Sequence, residues 1–306
     1  MIMSRLGAWL FLASAAVLAA SSGSSATADP RPAKRVLLLT HNLFYNHDNL
    51  ADIESVLPQW GETAGFDVVS LEGYKQTAVC ERTRPCSPEV ANLSMIDDAY
   101  LARFDAIVAS TNGELPLTPA GREALVRFVR RGKGILFLHQ SMVTLYGYRP
   151  WGELLGAYAD VDKQSFDVMN MARRPAVLKR ERPDHPAVRM LPAHWTLDDE
   201  FASFAAEAWD PTHPDRHLGP TKLPVPLAFS RRRVNVVLSF DSERTDFNGA
   251  PDGWNKGGDY PVAWYQQIGR GRTFYTSLGH RRDLWTSDAN FRAHVTGAIR
   301  WLLRLE

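Results

Sequence analysis

The chain has 306 residues, with 35 Lys and Arg against 34 Asp and Glu, and 45% of it is hydrophobic. That apolar fraction is ordinary for a chain that buries a core. The near-zero balance of charge gives no electrostatic reason to expect nucleic acid or an anionic membrane surface as a partner.

Residues 1–28 read as an export signal. Met1 to Arg5 carries one positive charge, Leu6 to Ala20 is an almost unbroken apolar run, and Ala26-Thr27-Ala28 is an A-x-A cleavage signal before Asp29-Pro30. The run of about 15 residues is short against the roughly 20 that span a bilayer, so no stable membrane insertion is expected after cleavage. Localisation is therefore expected to be periplasmic or secreted, with an uncleaved anchor as the competing reading. Cleavage would remove only Arg5 among charged residues, leaving 34 basic against 34 acidic groups. The remaining chain could fill one large α/β domain or two small ones.

After a Pro-rich lead-in from Asp29 to Lys34, Arg35 to Thr40 is a short Val/Leu run of the kind buried on both faces of a sheet. Leu50, Ile53, Leu57, Trp60 and Ala64 recur at helical spacing, with Pro58 expected to kink or shorten the helix and Gly65 to close it. Phe66 to Leu71 and Asp105 to Ser110 read as strands. Thr118-Pro119 caps and starts a helix through Arg131, and Gly134 to His139 is another buried strand. This alternation is that of a doubly wound parallel sheet. Further on, Pro224 to Ser230 and Val234 to Asp241 read as strands. Pro261 to Ile268 and Arg272 to Ser277 read as a hairpin through Gly269-Arg270-Gly271, and Phe291, Val295, Ala298, Ile299 and Leu302 mark a closing helix. Leu191 to Pro224 and Ser242 to Asp259 are too long for simple connections and are expected to cover or line a site.

Ligands of open α/β sheets bind beyond the carboxyl ends of the strands. Three histidines fall there: His47 after the first strand, His139 after the Gly134 strand, and His280 after the Arg272 strand if that strand runs parallel to the others. Imidazole exchanges protons near neutral pH and is a common metal ligand, so their convergence defines a site hypothesis. His41 reads equally as packing, His185 as a turn residue between prolines, His213 and His217 as solvated, and His294 as structural. Asp198-Asp199-Glu200 is the main acidic cluster, either a solvated run or the source of a carboxylate that orients a histidine, completes a metal shell or acts as a base. Asp259 is a second candidate. Trp151, Trp195, Trp254, Trp264 and Trp285 are divided between core and pocket, since indole faces also stack on sugar rings. Cys80 and Cys86, in a polar Pro-containing stretch, suit a small disulfide loop in an oxidising compartment, with free thiols as the alternative. There is no G-x-G-x-x-G after the first strand, no P-loop, no H-E-x-x-H and no G-x-S-x-G, so no nucleotide cofactor is expected.

These pieces resemble a family. Arg35 to Thr40 leading to His47, Gly134 to His139, Trp151 to Tyr158, Pro183-Asp-His-Pro186, Asp199-Glu200, Tyr260 to Trp264, Gly269 to His280 and Gly297 to Trp301 stand in the order found in ThuA-like (trehalose utilisation) proteins. The resemblance spans Arg35 to Leu303 and implies one domain over 35–304. The fold it implies is a flavodoxin-like three-layer α/β sandwich with a mostly parallel sheet, as in class I glutamine amidotransferases, plus an extra β-hairpin and long loops. His139 stands where an amidotransferase carries its nucleophilic cysteine, so thiolate amidotransfer is not expected. Relatives often carry a histidine shortly after Tyr158, where this chain has Ala159-Asp160-Val161-Asp162.

The resemblance implies a carbohydrate-active protein working on a disaccharide or keto-sugar, and the signal segment makes an exported one the expectation. His139, His47 and Glu200 would be the acid/base set, or His47, His139 and His280 the ligands of a divalent metal. Gln140, Trp151, Asp259, Trp264 and His280 are the expected substrate contacts. The rivals are a non-catalytic sugar-binding module on a degenerate amidotransferase-like fold and a metal-dependent hydrolase of non-sugar substrates. The expected partner is a small carbohydrate, with a homo-oligomer left open.

Overall fold

A computed structural model describes residues 33–77, 93–159, 171–202, 204, 226–250, 254, 256 and 258–306. Strand β1 (Lys34–Leu39) buries Val36 to Leu39 completely, because a hydrophobic core covers each face of the sheet at this central strand. Helix α1 (Leu50–Ala64) turns Leu50, Ile53, Leu57 and Trp60 to the core and runs through Pro58 without ending there. Gly65, at φ 86°, closes it by donating its N–H to Gly61 O at 2.8 Å, and β2 (Phe66–Ser70) follows. Short helices α2 (Gly73–Thr77) and α3 (Asp98–Leu101) precede β3 (Ala106–Ala109). Helix α4 (Pro119–Arg130) starts as expected, with Thr118 Oγ1 accepting the Gly121 N–H at 3.0 Å and Pro119 in the first turn.

Strand β4 (Gly134–Leu138) is wholly buried, and a Cβ on Gly134 would come within 2.8 Å of Leu302, so only glycine lets the closing helix lie this close. A 3₁₀ turn (His139–Val143) and α5 (Arg149–Leu155) follow. Then come β5 (Met171–Arg180), β6 (His194–Ala202), β7 (Asn235–Phe240), β8 (Pro261–Ile268), β9 (Gly271–Thr276), α6 (Arg282–Ser287) and α7 (Ala289–Leu303).

Among the described residues nine strands form one sheet in the order β2-β1-β3-β4-β9-β8-β7-β5-β6. The half from β2 to β9 is parallel, and the rest pairs antiparallel. Alternate residues of the parallel strands feed two cores. Leu37, Ile107, Ile135 and Phe137 pack with Leu125 and Val129 of α4. Val36, Val108, Leu136 and Leu138 pack with Leu57 of α1 and Ile299 of α7 on the opposite face. Among the described residues no helix is long and apolar enough to cross a membrane.

Two expectations need correction. The stretch from Leu191, expected to be loop, contains β6, and its partner β5 falls where no strand is expected. Conversely, residues 226–230 of the expected Pro224–Ser230 strand are not strand. Residues 1–28, Cys80, Cys86, His213 and His217 lie outside the described residues.

The β5–β6 hairpin bears most directly on function. β5 meets β7 only through Leu178, Lys179 and Arg180, whereas β5 and β6 pair over nine residues from Met171↔Ala202 to Lys179↔His194. The hairpin therefore continues past the sheet as a two-stranded ribbon. Its extension carries Arg173 and Glu200, directly paired across the strands, to the carboxyl edge of the sheet.

Candidate functional site

Because the β8–β9 hairpin reverses the chain, β9 runs parallel to β4, with Gly134↔Arg272 through Leu138↔Thr276 in register. His139 and His280 therefore leave neighbouring strands in the same direction, and His47 reaches the same edge from the loop between β1 and α1. The three rings pack edge to face, with centroid separations of 5.2 Å for His47–His139, 5.3 Å for His47–His280 and 5.0 Å for His139–His280. Glu200 completes the group from the ribbon, and one ligand atom from each of the four residues lies within 4.8 Å of the others.

Each member is held by its neighbours. His139 begins the 3₁₀ turn at φ 39°, a left-handed conformation uncommon for a residue with a Cβ, and such strain persists where the surroundings over-determine it. Its Nδ1–H donates to Ser277 O at 2.8 Å, which directs Nε2 at the cluster, 3.0 Å from His280 Nδ1 and 3.4 Å from Glu200 Oε2. His47 Nδ1 lies 3.2 Å from the carbonyl of Tyr45 and 3.4 Å from Asn42 Nδ2, which leaves its Nε2 for the cluster. His280 Nδ1 is also 3.0 Å from Glu200 Oε2, while its Nε2 accepts from Arg173 Nη2. Arg173 Nε donates to the second Glu200 oxygen at 3.3 Å.

The loop bearing His280 is clamped by Asp199, which is completely buried and accepts the N–H groups of Gly279 at 2.7 Å and Arg281 at 3.2 Å. Gly279 sits at φ 109°, and its carbonyl accepts from Trp285 Nε1 at 2.9 Å and from Asn49 Nδ2.

Electrostatics fit a shared positive guest. Burial opposes ionisation of Glu200, but the hydrogen bonds and charges of His139 and His280 overcome it and hold the carboxyl far below its ordinary range. Burial drives His47 well below its usual value, reinforced by His139 and His280, and lowers His280 against the pull of Glu200. For His139 burial also acts downward, yet Glu200 and Asp199 outweigh it and raise the ring above its usual value. Burial pushes Asp199 up to about 6, opposed by His139 and the N–H donors around it.

His139 Nε2 and Glu200 Oε2 are both acceptors when His139 is neutral, and at 3.4 Å they repel unless a proton or cation lies between them. Three imidazole nitrogens and one carboxylate oxygen are a donor set suited to a divalent transition metal such as zinc. Tetrahedral bonds of about 2.0–2.2 Å to one ion would set ligand atoms roughly 3.3–3.6 Å apart, against 3.0 to 3.4 Å among His139, His280 and Glu200 here. Beside the cluster opens a cleft of about 180 Å³ lined by Tyr45, Asp48, Arg173, His280, Arg281, Arg282 and Asp283.

The other expected contacts are packed or paired within the protein. Trp151 is buried against Phe137, and Trp264 is buried with its Nε1 donating to Leu155 O at 2.8 Å; both are packing residues. Asp259 is held in a two-point ion pair by Arg231, which also grips Glu181. Gln140 is buried, its Nε2 donating to Ser110 Oγ at 2.9 Å. His185 is in a turn as expected but is also buried, stacked on Tyr265 at 4.7 Å. His294 is fully buried between Ala187 O and Thr276 Oγ1.

Two residues of the site do not stand out individually in the sequence. Asp199 carries a readable signal all the same: Trp195, Leu197, Asp199 and Phe201 alternate along β6, so a carboxylate stands on an apolar strand face. Arg173 carries none, because only the β5–β6 register brings it to Glu200.

The trehalose-utilisation (ThuA) family model matches residues 35–217 and 226–302. A ThuA-like protein from Bacteroides uniformis is similar in structure at 17% identity, over 92% of this chain and 95% of that one, with a TM-score of 0.58. Another from Parabacteroides merdae is similar at 16% identity, over 90% of this chain and 91% of that one, with a TM-score of 0.56. These identities speak for the fold alone. A search of curated proteins finds no match.

Proposed function

Since the chain belongs to the ThuA family, which is tied to trehalose utilisation, we propose that it is an exported carbohydrate-active enzyme that processes a disaccharide or keto-sugar at the His47–His139–Glu200–His280 centre. The observation that carries this reading is the convergence of three imidazoles and one carboxylate, all within 4.8 Å, at the carboxyl edge of the sheet. The strand order β2-β1-β3-β4-β9 supports reading the fold as the flavodoxin-like sandwich of the class I amidotransferases, in which this edge is the working face. The place of the amidotransferase cysteine is held by His139, which supports a different chemistry.

In this reading the centre binds a divalent cation through the three histidines and Glu200. Such an ion supplies Lewis acidity toward a carbonyl or hydroxyl oxygen and lowers the pKa of water. The chain's own residues do the rest. Ser277 orients His139, Tyr45 and Asn42 hold the His47 ring, and Asp199 places His280. The adjoining cleft, rich in guanidinium and carboxylate groups, suits a polyhydroxylated substrate.

The test is to purify the chain from its native compartment, measure its metal content, and assay turnover of glucosides and keto-glucosides beside His139→Ala. Metal bound near one equivalent, with turnover abolished in the variant, is expected. Sugar binding without turnover, unchanged by His139→Ala, would leave a binding module instead.

A further inference from the structure

Arg173 and His280 are joined in a way that a cation at the centre would not permit. His280 presents Nδ1 to Glu200 Oε2 at 3.0 Å, and a carboxylate oxygen is an acceptor, so Nδ1 carries the ring proton. Its Nε2 then has the lone pair that receives Arg173 Nη2. A neutral imidazole has one proton and one lone pair. When His280 Nδ1 turns its lone pair on a cation, the proton resides on Nε2, and Nε2–H faces a guanidinium N–H. Two donors cannot share that contact, so Arg173 Nη2 has to leave it.

We propose that Arg173 is an oxyanion-binding residue released by metal: it caps His280 Nε2 when the centre holds no cation, and it turns toward a negatively charged substrate oxygen when His280 is ligated. This rests on the metal-centre reading above.

Arg173 does not swing away freely. Its Nε stays tethered to Glu200 Oε1 at 3.3 Å, while Oε2 is the oxygen directed at the histidines. The released fork therefore remains beside the centre and faces the cleft it already lines. Two further guanidiniums line that cleft, but both are engaged. Arg281 is gripped by Asp198 at 2.6 Å and Asp283 at 2.8 Å, and Arg282 by Asp52 at 2.6 Å. Arg173 is the cleft guanidinium whose second partner is lost on metal binding. A planar fork beside a divalent cation recognises a carboxylate, or the oxygen of a keto-sugar as it gains negative charge.

Zinc affinity of the intact chain, measured by competition with a chromophoric chelator, tests the first half. Arg173→Met removes both the cap on His280 and a positive charge near the ion, so it should bind zinc about tenfold more tightly than wild type. Calorimetry with gluconate as a sugar-carboxylate probe tests the second half. Zinc-bound wild type should bind gluconate, and Arg173→Met or metal-free wild type should bind it about tenfold more weakly or less. Arg173→Lys should recover only part of the gluconate affinity, because an ammonium has the charge without the fork. Arg173 is exposed, with 58% of its side chain open to solvent, so these variants keep the fold, which a thermal melt checks. Equal zinc affinity in wild type and Arg173→Met, or gluconate binding indifferent to Arg173 or to zinc, overturns the proposal and leaves the metal centre standing. Failure of wild type to bind zinc or any other divalent transition metal removes both.

Discussion

Asp199 Oδ2 accepts the backbone N–H of Gly279 at 2.7 Å, and the residue following each of these two is a member of the cluster. One buried hydrogen bond thus fixes Glu200 on the ribbon relative to His280 on the β9 exit. Asp199→Asn keeps the shape but presents an amide in place of an ionisable carboxyl that accepts from both Gly279 and Arg281. The loss should cost about 1–3 kcal/mol of stability. If Asp199 positions the site, metal affinity should also fall by roughly 10- to 100-fold, as for other groups that orient metal ligands. Denaturant melts and metal competition measure the two separately. A stability loss with unaltered metal affinity would make Asp199 purely structural.

The four-residue centre predicts a metal-linked melting temperature. A cation that binds the folded chain but not the unfolded one, present at about 100 times its dissociation constant, adds about 2.7 kcal/mol. For a domain of this size that corresponds to a rise of roughly 5–10 °C. Chelator should lower the melting temperature of wild type by such an amount, and added metal should restore it. His47→Ala, His139→Ala, His280→Ala and Glu200→Gln should each shrink the response. A melt indifferent to chelator and metal alike would count against the centre.

How much of the fold and site is legible in the chain depends on the element. Strands β1 and β4 are buried on both faces, so their residues form continuous apolar runs and are readable at once. The β8–β9 hairpin shows itself through Gly269-Arg270-Gly271, but the parallel sense of β9 that puts His280 on the working edge comes only from its pairing with β4. β5 is hidden because Arg173, Arg174, Pro175, Lys179 and Arg180 mask the alternation of its buried Ala176 and Leu178. β6 is masked rather than hidden: Trp195, Leu197 and Phe201 alternate, but Asp199 takes the apolar position between them. The histidines are legible from their position after strands, and Glu200 from the Asp199-Glu200 pair of the family pattern. Arg173 is not, since its role depends on a partner 27 residues away. The tryptophans mislead for a physical reason: an indole that can stack on a sugar fills a core equally well.

Trp264 allows that last point to be tested. Its ring is fully buried among Phe204, Phe229 and Tyr275, and its Nε1 donates to Leu155 O. Trp264→Phe loses this hydrogen bond and leaves a small void, at a combined cost of about 2–4 kcal/mol. Metal and sugar affinity of the folded variant should stay within about twofold of wild type, as for independent distant sites. A large loss of sugar affinity at unchanged stability would return Trp264 to the binding surface.

The buried histidines outside the centre set how the fold responds to acid. Burial lowers His294 from 6.5 to about 4, against a weaker upward pull from its bond to Ala187 O, and burial likewise lowers His185 and His41 to about 4. A group with a depressed folded pKa binds fewer protons folded than unfolded, so its contribution is complete above 6.5. It is lost as pH falls toward 4, and nothing more is lost below that. For His294, which is 0% exposed, the shift amounts to about 3 kcal/mol. Unfolding free energy should therefore drop steeply between pH 6.5 and 4. His294→Gln removes the titrating group while keeping a donor and an acceptor for Ala187 and Thr276. Its stability at pH 7 is expected to be lower than wild type, but its slope between pH 6.5 and 4 should be shallower by about one proton. Denaturant titrations at pH 7, 6, 5 and 4.5 measure that slope, and parallel curves for the two proteins would show that His294 is not held neutral by the fold.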